Sequence, residues 1–359
     1  MTPYGQPGRM ANYRVGEGTG SGEPGPVRGR SRVRSIVLAA IPWLVIAGLL
    51  VGAFTIRPGG VGKAVVPAPV SAQDHFYGIA YPGNQVLWMV GMLGKIVRSD
   101  DGGRSWAVQP SPTKRILQSI GTWSTKRAVA VGDNGLVIVT KDGGRSWQQV
   151  KVPLTKVSNK FLRVRVLDNG TAWIVGAMGA VLESTDYGQT WARKVPVHDV
   201  TRMDIDGVGK HLWVVGEFGQ IIASDDGGKT WQKQSSGVRN TLNGVCFRDV
   251  DHGVVVGLQG VILTTSDGGR TWHQVHGVTK EHLFAVDWNG RQWLAVGANG
   301  VVLTSGPDAA QWKAKQVAPR DFAWHTGVAA AQDRWYLAGA DSGMYHGGNW
   351  NAFAKRGDQ

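Results

Sequence analysis

The chain has 359 residues, with 39 Lys and Arg against 26 Asp and Glu and a formal charge of +13. That length can bury a large core, and a solitary cysteine, Cys246, excludes any disulfide within the chain. Fifty-two glycines fit a turn-dense all-β protein.

Residues 1–34 are rich in Gly, Pro, Arg and Ser, lack a periodic apolar pattern, and read as a disordered basic cytoplasmic tail. From Ile36 to Ile56 no charge interrupts 21 mostly apolar residues, enough to cross a hydrocarbon core as a helix. Arg28, Arg30, Arg32 and Arg34 crowd its N-terminal flank, against Arg57 and Lys63 beyond it, which keeps the N terminus in the cytoplasm. Val70-Ser71-Ala72 has the small residues of a signal-peptide cleavage site, but lies 16 residues past the apolar run. Residues 35–56 are therefore expected to be an uncleaved, single-pass signal anchor in the cytoplasmic (inner) membrane. Residues 57–75 would be the linker, and the remainder would lie in the periplasm or its equivalent.

From there the chain repeats itself. Ser99-Asp100-Asp101-Gly102-Gly103-Arg104-Ser105-Trp106 returns around Asp142 and Trp147, Asp186 and Trp191, Asp226 and Trp231, and Asp267 and Trp272. Worn copies end at Trp312 and Trp350, and the seven tryptophans are spaced by 41, 44, 40, 41, 40 and 38 residues. A period near forty marks a repeat architecture. The Asp accepts local backbone hydrogen bonds, the glycines take positive φ, and the Trp supplies apolar area at the next strand, so the box reads as a hairpin connection. Each box follows a second signature, such as Val90-Gly91-Met92-Leu93-Gly94-Lys95-Ile96, with two residues between glycines and β-branched strands on both sides. Four strands per repeat, seven times over residues 76–354, predict a seven-bladed β-propeller, with residues 355–359 a short tail.

The repeated G-x-x-G-x-[IV] followed by S/T-x-D-G-G-x-[ST]-W resembles the BNR or Asp-box repeat. Its sevenfold use, with openings such as Leu117-Gln118-Ser119-Ile120 and Leu242-Asn243-Gly244-Val245, is similar to the photosystem II stability/assembly factor family. The resemblance implies an extracytoplasmic propeller that assists assembly of a membrane-protein complex. The anchor here departs from the transit peptide or lipoprotein start usual for the phototroph members.

The residues favour contact over catalysis. An Asp in every repeat is needed by every blade's turn, whereas a catalytic group is normally needed once. The acidic residues outside the boxes, among them Asp168, Asp204, Asp206, Asp249, Asp251 and Asp287, read mostly as turn residues, and no carboxylate pair of glycosidase type is visible. His273 and His276 point to opposite faces of a strand and the other histidines are scattered, so no metal site is expected, and no cofactor. The linkers between repeats carry basic residues with some regularity: Arg115, Lys160, Arg202, Arg239, Lys280 and Arg320. In Leu162-Arg163-Val164-Arg165-Val166, alternation puts Arg163 and Arg165 on one face of an inner strand, expected to look into the channel. Together these eight predict a basic rim that captures acidic or C-terminal carboxylate groups of an extracytoplasmic polypeptide. A sialidase-like hydrolase and an accessory subunit of an envelope transporter are the alternatives. Nucleic acid is excluded by the expected topology, since the ring faces away from the cytoplasm.

Overall fold

The computed structural model describes residues 32–55, 68–157, 159–167 and 170–354, with side chains of the first segment described over 41–52. Asp168, most of the 1–34 tail, the last residue of the predicted anchor, residues 57–67 of the linker and the 355–359 tail lie outside the described residues. Two compact units divide the chain near residue 66.

The first contains the α-helix Arg32–Thr55, with Pro42 inside it. Trp43, Leu44, Leu49 and Leu50 on this helix are exposed. Among the described residues no helix is long and apolar enough to cross a membrane.

The second unit is a seven-bladed β-propeller. Each blade is a four-stranded antiparallel sheet whose strands follow one another in chain order, from the inner strand to the outer one. The inner strands are Phe76–Gly83, Leu117–Thr122, Phe161–Val166, Arg202–Val208, Leu242–Phe247, Leu283–Trp288 and His325–Ala331. Each packs against the next, and the last packs against the first, which closes the ring. The described core falls into seven apolar clusters, one for each pair of neighbouring blades. Trp88, Trp173, Trp213, Trp293 and Trp335, all on second strands, are the largest fully buried side chains. Alternation explains this layout, because both faces of every sheet are covered by a neighbour and both sets of side chains are apolar.

The Asp box acts as a hairpin clasp. The Ser99 hydroxyl donates to Asp101 Oδ1 (2.8 Å) and accepts from Gly103 N–H (2.8 Å), while Ser105 donates to Asp101 through its N–H (2.9 Å) and hydroxyl (2.6 Å). The carboxylate thus serves donors four residues on. The same bonds recur around Asp142, Asp186, Asp226 and Asp267. The box also locks blade to blade. Gly228 (φ 78°) lies against the Trp173 ring of the preceding blade, where a Cβ would collide, and Trp231 meets the same ring edge-on at 6.0 Å.

In worn copies this clasp is lost. In blade six Ser305 donates instead to the Gln311 carbonyl (2.6 Å), and blade seven closes on the strand Asn349–Ala352 with no Asp.

Candidate partner-binding face and channel

Antiparallel order puts the two kinds of turn at opposite ends of the ring. The Asp boxes and the first hairpin of each blade share one end. The G-x-x-G turns and the linkers between blades share the other, here called the loop end. Contacts bear this out: Gly179 N–H donates to Val200 O (2.6 Å), Gly300 N–H to Ala323 O (2.6 Å) and Met92 N–H to His75 O (3.1 Å), tying each turn to a linker.

At the Asp-box end the box carboxylates are saturated by local donors, and the seam between blades seven and one opens into a cavity of about 410 Å³ lined by Tyr81, Arg104, Arg334 and Tyr336. The hydroxyl and amide of Ser105 hold Asp101 at a pKa of about 2, and those of Ser146 do the same for Asp142. For Asp186 and Asp267 partial burial acts in the opposite sense, and the Thr190 and Thr271 donors outweigh it.

At the loop end, the second residues of all seven inner strands ring the channel mouth. Tyr77, Leu162, Met203 and Phe284 are interspersed there with Gln118, Asn243 and Thr326, around a hollow of about 120 Å³. Trp324 stacks on Tyr77 with ring centres 5.4 Å apart. Arg163 lies at the base of this hollow.

Five of the eight basic residues predicted for the rim stand exposed at this end: Arg115, Lys160, Arg239, Lys280 and Arg320. Lys160 is 3.8 Å from Asp133 on the neighbouring turn. Arg202 is different: it is 6% exposed, at the first position of its inner strand, with Nη1 bonded to Gln220 Oε1 at 3.1 Å. Burial lowers its pKa. A linker residue by sequence, it is an interior one by structure, because blade four begins at Arg202 itself.

Arg163 and Arg165 also leave the rim. The face that carries them is turned to blade four along the channel wall, where two carboxylates meet them. Arg163 Nε is 3.2 Å from Asp204 Oδ1, and Arg165 Nε is 3.1 Å from Asp206 Oδ1. Asp204 and Asp206 therefore lie in a buried strand and not in a turn, and so does Asp287. Their other oxygens satisfy the free edge of the next inner strand. Asp204 Oδ2 accepts from Val245 N–H (3.1 Å), Asp206 Oδ2 from Phe247 N–H (2.7 Å), and Asp287 Oδ2 from Ala330 N–H (3.0 Å). An inner strand has no partner on its channel side, so these bonds answer donors that would otherwise be orphaned.

Burial disfavours the charge of Arg165, but Asp206 and Asp204 outweigh it and raise its pKa. Burial raises the pKa of Asp206 and Asp287, with Arg165 offsetting part of the effect, and lifts the Cys246 thiol well above its usual value. Cys246 Sγ sits 3.7 Å from Asp287 Oδ1. The cluster is thus internally paired, and among the described residues no group of His, Cys, Asp and Glu is arranged to hold a metal ion.

This channel ladder escaped the sequence reading, although the repeat encodes it. Arg163 and Arg165 precede Asp204 and Asp206 by 41 residues, one repeat, so equivalent positions on adjacent blades carry opposite charges. Blades one, two and seven hold small residues at those positions (Gly78 and Ala80, Ser119 and Gly121, Gly327 and Ala329), whereas blades five and six place Cys246 and Asp287 at the second of them.

A family model described as photosynthesis system II assembly factor YCF48 matches residues 106–202 and 234–322, just over half the chain. A BNR/Asp-box repeat model matches residues 222–233. Among solved structures, the fold is similar to that of YCF48 from Cyanidioschyzon merolae (TM-score 0.64, 16% identity, 78% of this chain and 97% of that one). It is similar also to YCF48 bound to D1 peptide (0.62, 17% identity, 76% and 92%). The WD40 β-propeller domain of Doa1 shares the architecture as well (0.61, 11% identity, 74% and 90%). At such identities these likenesses speak to the fold alone. No curated protein matches the sequence.

Proposed function

The chain belongs to the photosynthesis system II assembly factor YCF48 family, and on that premise we propose that it is a non-catalytic propeller that holds a polypeptide segment of a membrane-protein complex during assembly. The carrying observation is the make-up of the loop end. There Arg115, Lys160, Arg239, Lys280 and Arg320 stand exposed around a largely apolar mouth. Exposed cations over a concave apolar surface suit an acidic or carboxylate-bearing peptide. That one YCF48 structure holds a D1 peptide supports a polypeptide as the ligand class. Catalysis finds no support in the channel, because Asp204, Asp206 and Asp287 are each committed to a backbone donor of the next blade.

The setting belongs to the same proposal. The uncharged run 36–56 anchors the chain in the cytoplasmic membrane as a single span, and the arginines before it keep the N terminus inside and the ring outside.

Replacing Arg115, Lys160, Arg239, Lys280 and Arg320 together by Ala is expected to abolish crosslinks, identified by mass spectrometry in native membranes, between the loop end and a client. The wild-type crosslinks should fade as salt rises. Undiminished crosslinking by the fivefold variant would reject the basic loop end as the binding surface.

A further inference from the structure

The apolar surface of the ring is unevenly placed. Ten large hydrophobic side chains of the described propeller are exposed, and seven of them lie at the loop end: Met92, Leu93, Leu154, Val157, Val197, Phe218 and Phe322. Two of the seven are also strained. Leu93 (φ 55°, 74% exposed) and Phe218 (φ 57°, 68% exposed) occupy the left-handed position of their G-x-x-G turns, where the equivalent residues of blades two and six are Asn134 and Asn299. Asn visits this conformation readily, whereas a bulky apolar side chain is disfavoured there. These side chains thus bear both a backbone cost and a hydration cost with no packing in the fold to offset either.

Their distribution indicates what they meet. They come from the turns of blades one and four and from the linkers between blades two and three, three and four, and six and seven. Spread over so many blades, they suit an extended surface laid across this end of the ring better than a single peptide groove. The exposed Arg115, Lys160, Arg239, Lys280 and Arg320 are interspersed at the same end. Apolar side chains projecting among cations is the pattern of interfacial binding to anionic lipid.

The chain also enters the ring at this end. The inner strand of blade one begins there at Phe76, and the segment before it is held to the ring through Val70, buried in the seam between blades seven and one, and through Asp74, bonded to Lys95 at 2.6 Å. Eleven residues, 57–67, then separate the ring from the 36–56 run, a reach of at most about 40 Å.

We propose that the loop end docks on an anionic bilayer surface, with Leu93, Phe218 and Phe322 dipping into the interface and the linker cations shared between the headgroups and the client segment that emerges from the same membrane. The inference rests on the reading of residues 36–56 as a membrane span.

The test uses the full chain, with Cys246 replaced by Ala, in vesicles of phosphatidylglycerol and phosphatidylcholine. Nitroxide labels are placed singly by Leu93→Cys, Phe218→Cys and Phe322→Cys, and on the Asp-box end by Lys141→Cys and Val250→Cys. Labels at 93, 218 and 322 should gain access to oxygen and lose several-fold access to a soluble nickel chelate, while those at 141 and 250 stay aqueous. Omitting phosphatidylglycerol should shrink the difference. Leu93→Asn with Phe218→Asn should raise the melting temperature, by relieving strain, yet return the label at 322 to water. Equal nickel access at both ends would overturn the proposal. Shielding only in native membranes that contain other proteins would overturn it too, and would assign the face to a protein partner. Extraction with alkaline carbonate separates the two readings: a chain released by it lacks the anchor, whereas a retained chain with aqueous labels lacks only the docking.

Discussion

His325 shows how one residue can contradict its place in a repeat. It opens the inner strand of blade seven, where blades one, two and three have Phe76, Leu117 and Phe161. The ring is fully buried, meets Trp350 edge-on at 5.5 Å, and neither ring nitrogen has a hydrogen-bond partner. Burial lowers its pKa to about 4, with Asp321 pulling weakly the other way. The unfolded chain takes up this proton near 6.5, so stability is complete above that value and declines as pH falls toward 4. His325→Phe should add on the order of 2–3 kcal/mol at pH 4 relative to its effect at pH 8. Urea melts of both proteins across that range would measure it. Parallel pH profiles for the two would refute the assignment.

The Asp-box hairpin is the recurrent element, and its chemistry titrates over a different window. Because Ser105 and Ser146 hold Asp101 and Asp142 at about 2, below the ordinary 3.8, their contribution is present above pH 4 and is lost as pH falls toward 2. Asp142→Ala removes the bonds to the Ser146 hydroxyl (2.6 Å) and amide (3.0 Å) and to Thr140 Oγ1 (2.9 Å). A loss of about 1 kcal/mol is expected, kept small because water reaches the freed donors. Thermal melts at pH 7 and pH 2.5 should show the variant's deficit narrowing in acid. The motif was legible in the sequence because each bond in it joins residues at most four apart, and such bonds need no knowledge of the neighbouring blade.

At the scale of the whole ring, stability and channel chemistry depend on how blades meet. The pairs Arg163–Asp204 and Arg165–Asp206 join blades three and four, the one seam among the described residues where cation meets carboxylate at these inner-strand positions. Asp206→Ala deprives Arg165 of its partner and Phe247 N–H of its acceptor. A loss of about 2–3 kcal/mol is expected, below that of a fully enclosed pair because 32% of the Arg165 side chain is open to the channel. Adding Arg165→Ala should recover part of it, giving a coupling of about 1–2 kcal/mol in a double-mutant cycle. Strict additivity of the two losses would show that the pair is not an energetic unit.

Seven boxes, six G-x-x-G turns and a forty-residue period determined the number of blades, the strands within each and the turns at both ends, since each rests on short-range hydrogen bonding and alternation. Whether a basic residue belongs to a surface was settled only by closure of the ring. Arg115 and Arg239 are exposed on linkers, Arg202 opens a strand and is enclosed, and Arg163 and Arg165 face carboxylates one blade away. Alternation along a strand assigns a side chain to one face or the other, but in a propeller both faces are covered, and what covers them lies about forty residues distant. The sequence therefore specified each sheet, and the packing of blade against blade decided which charges remain free to meet a partner.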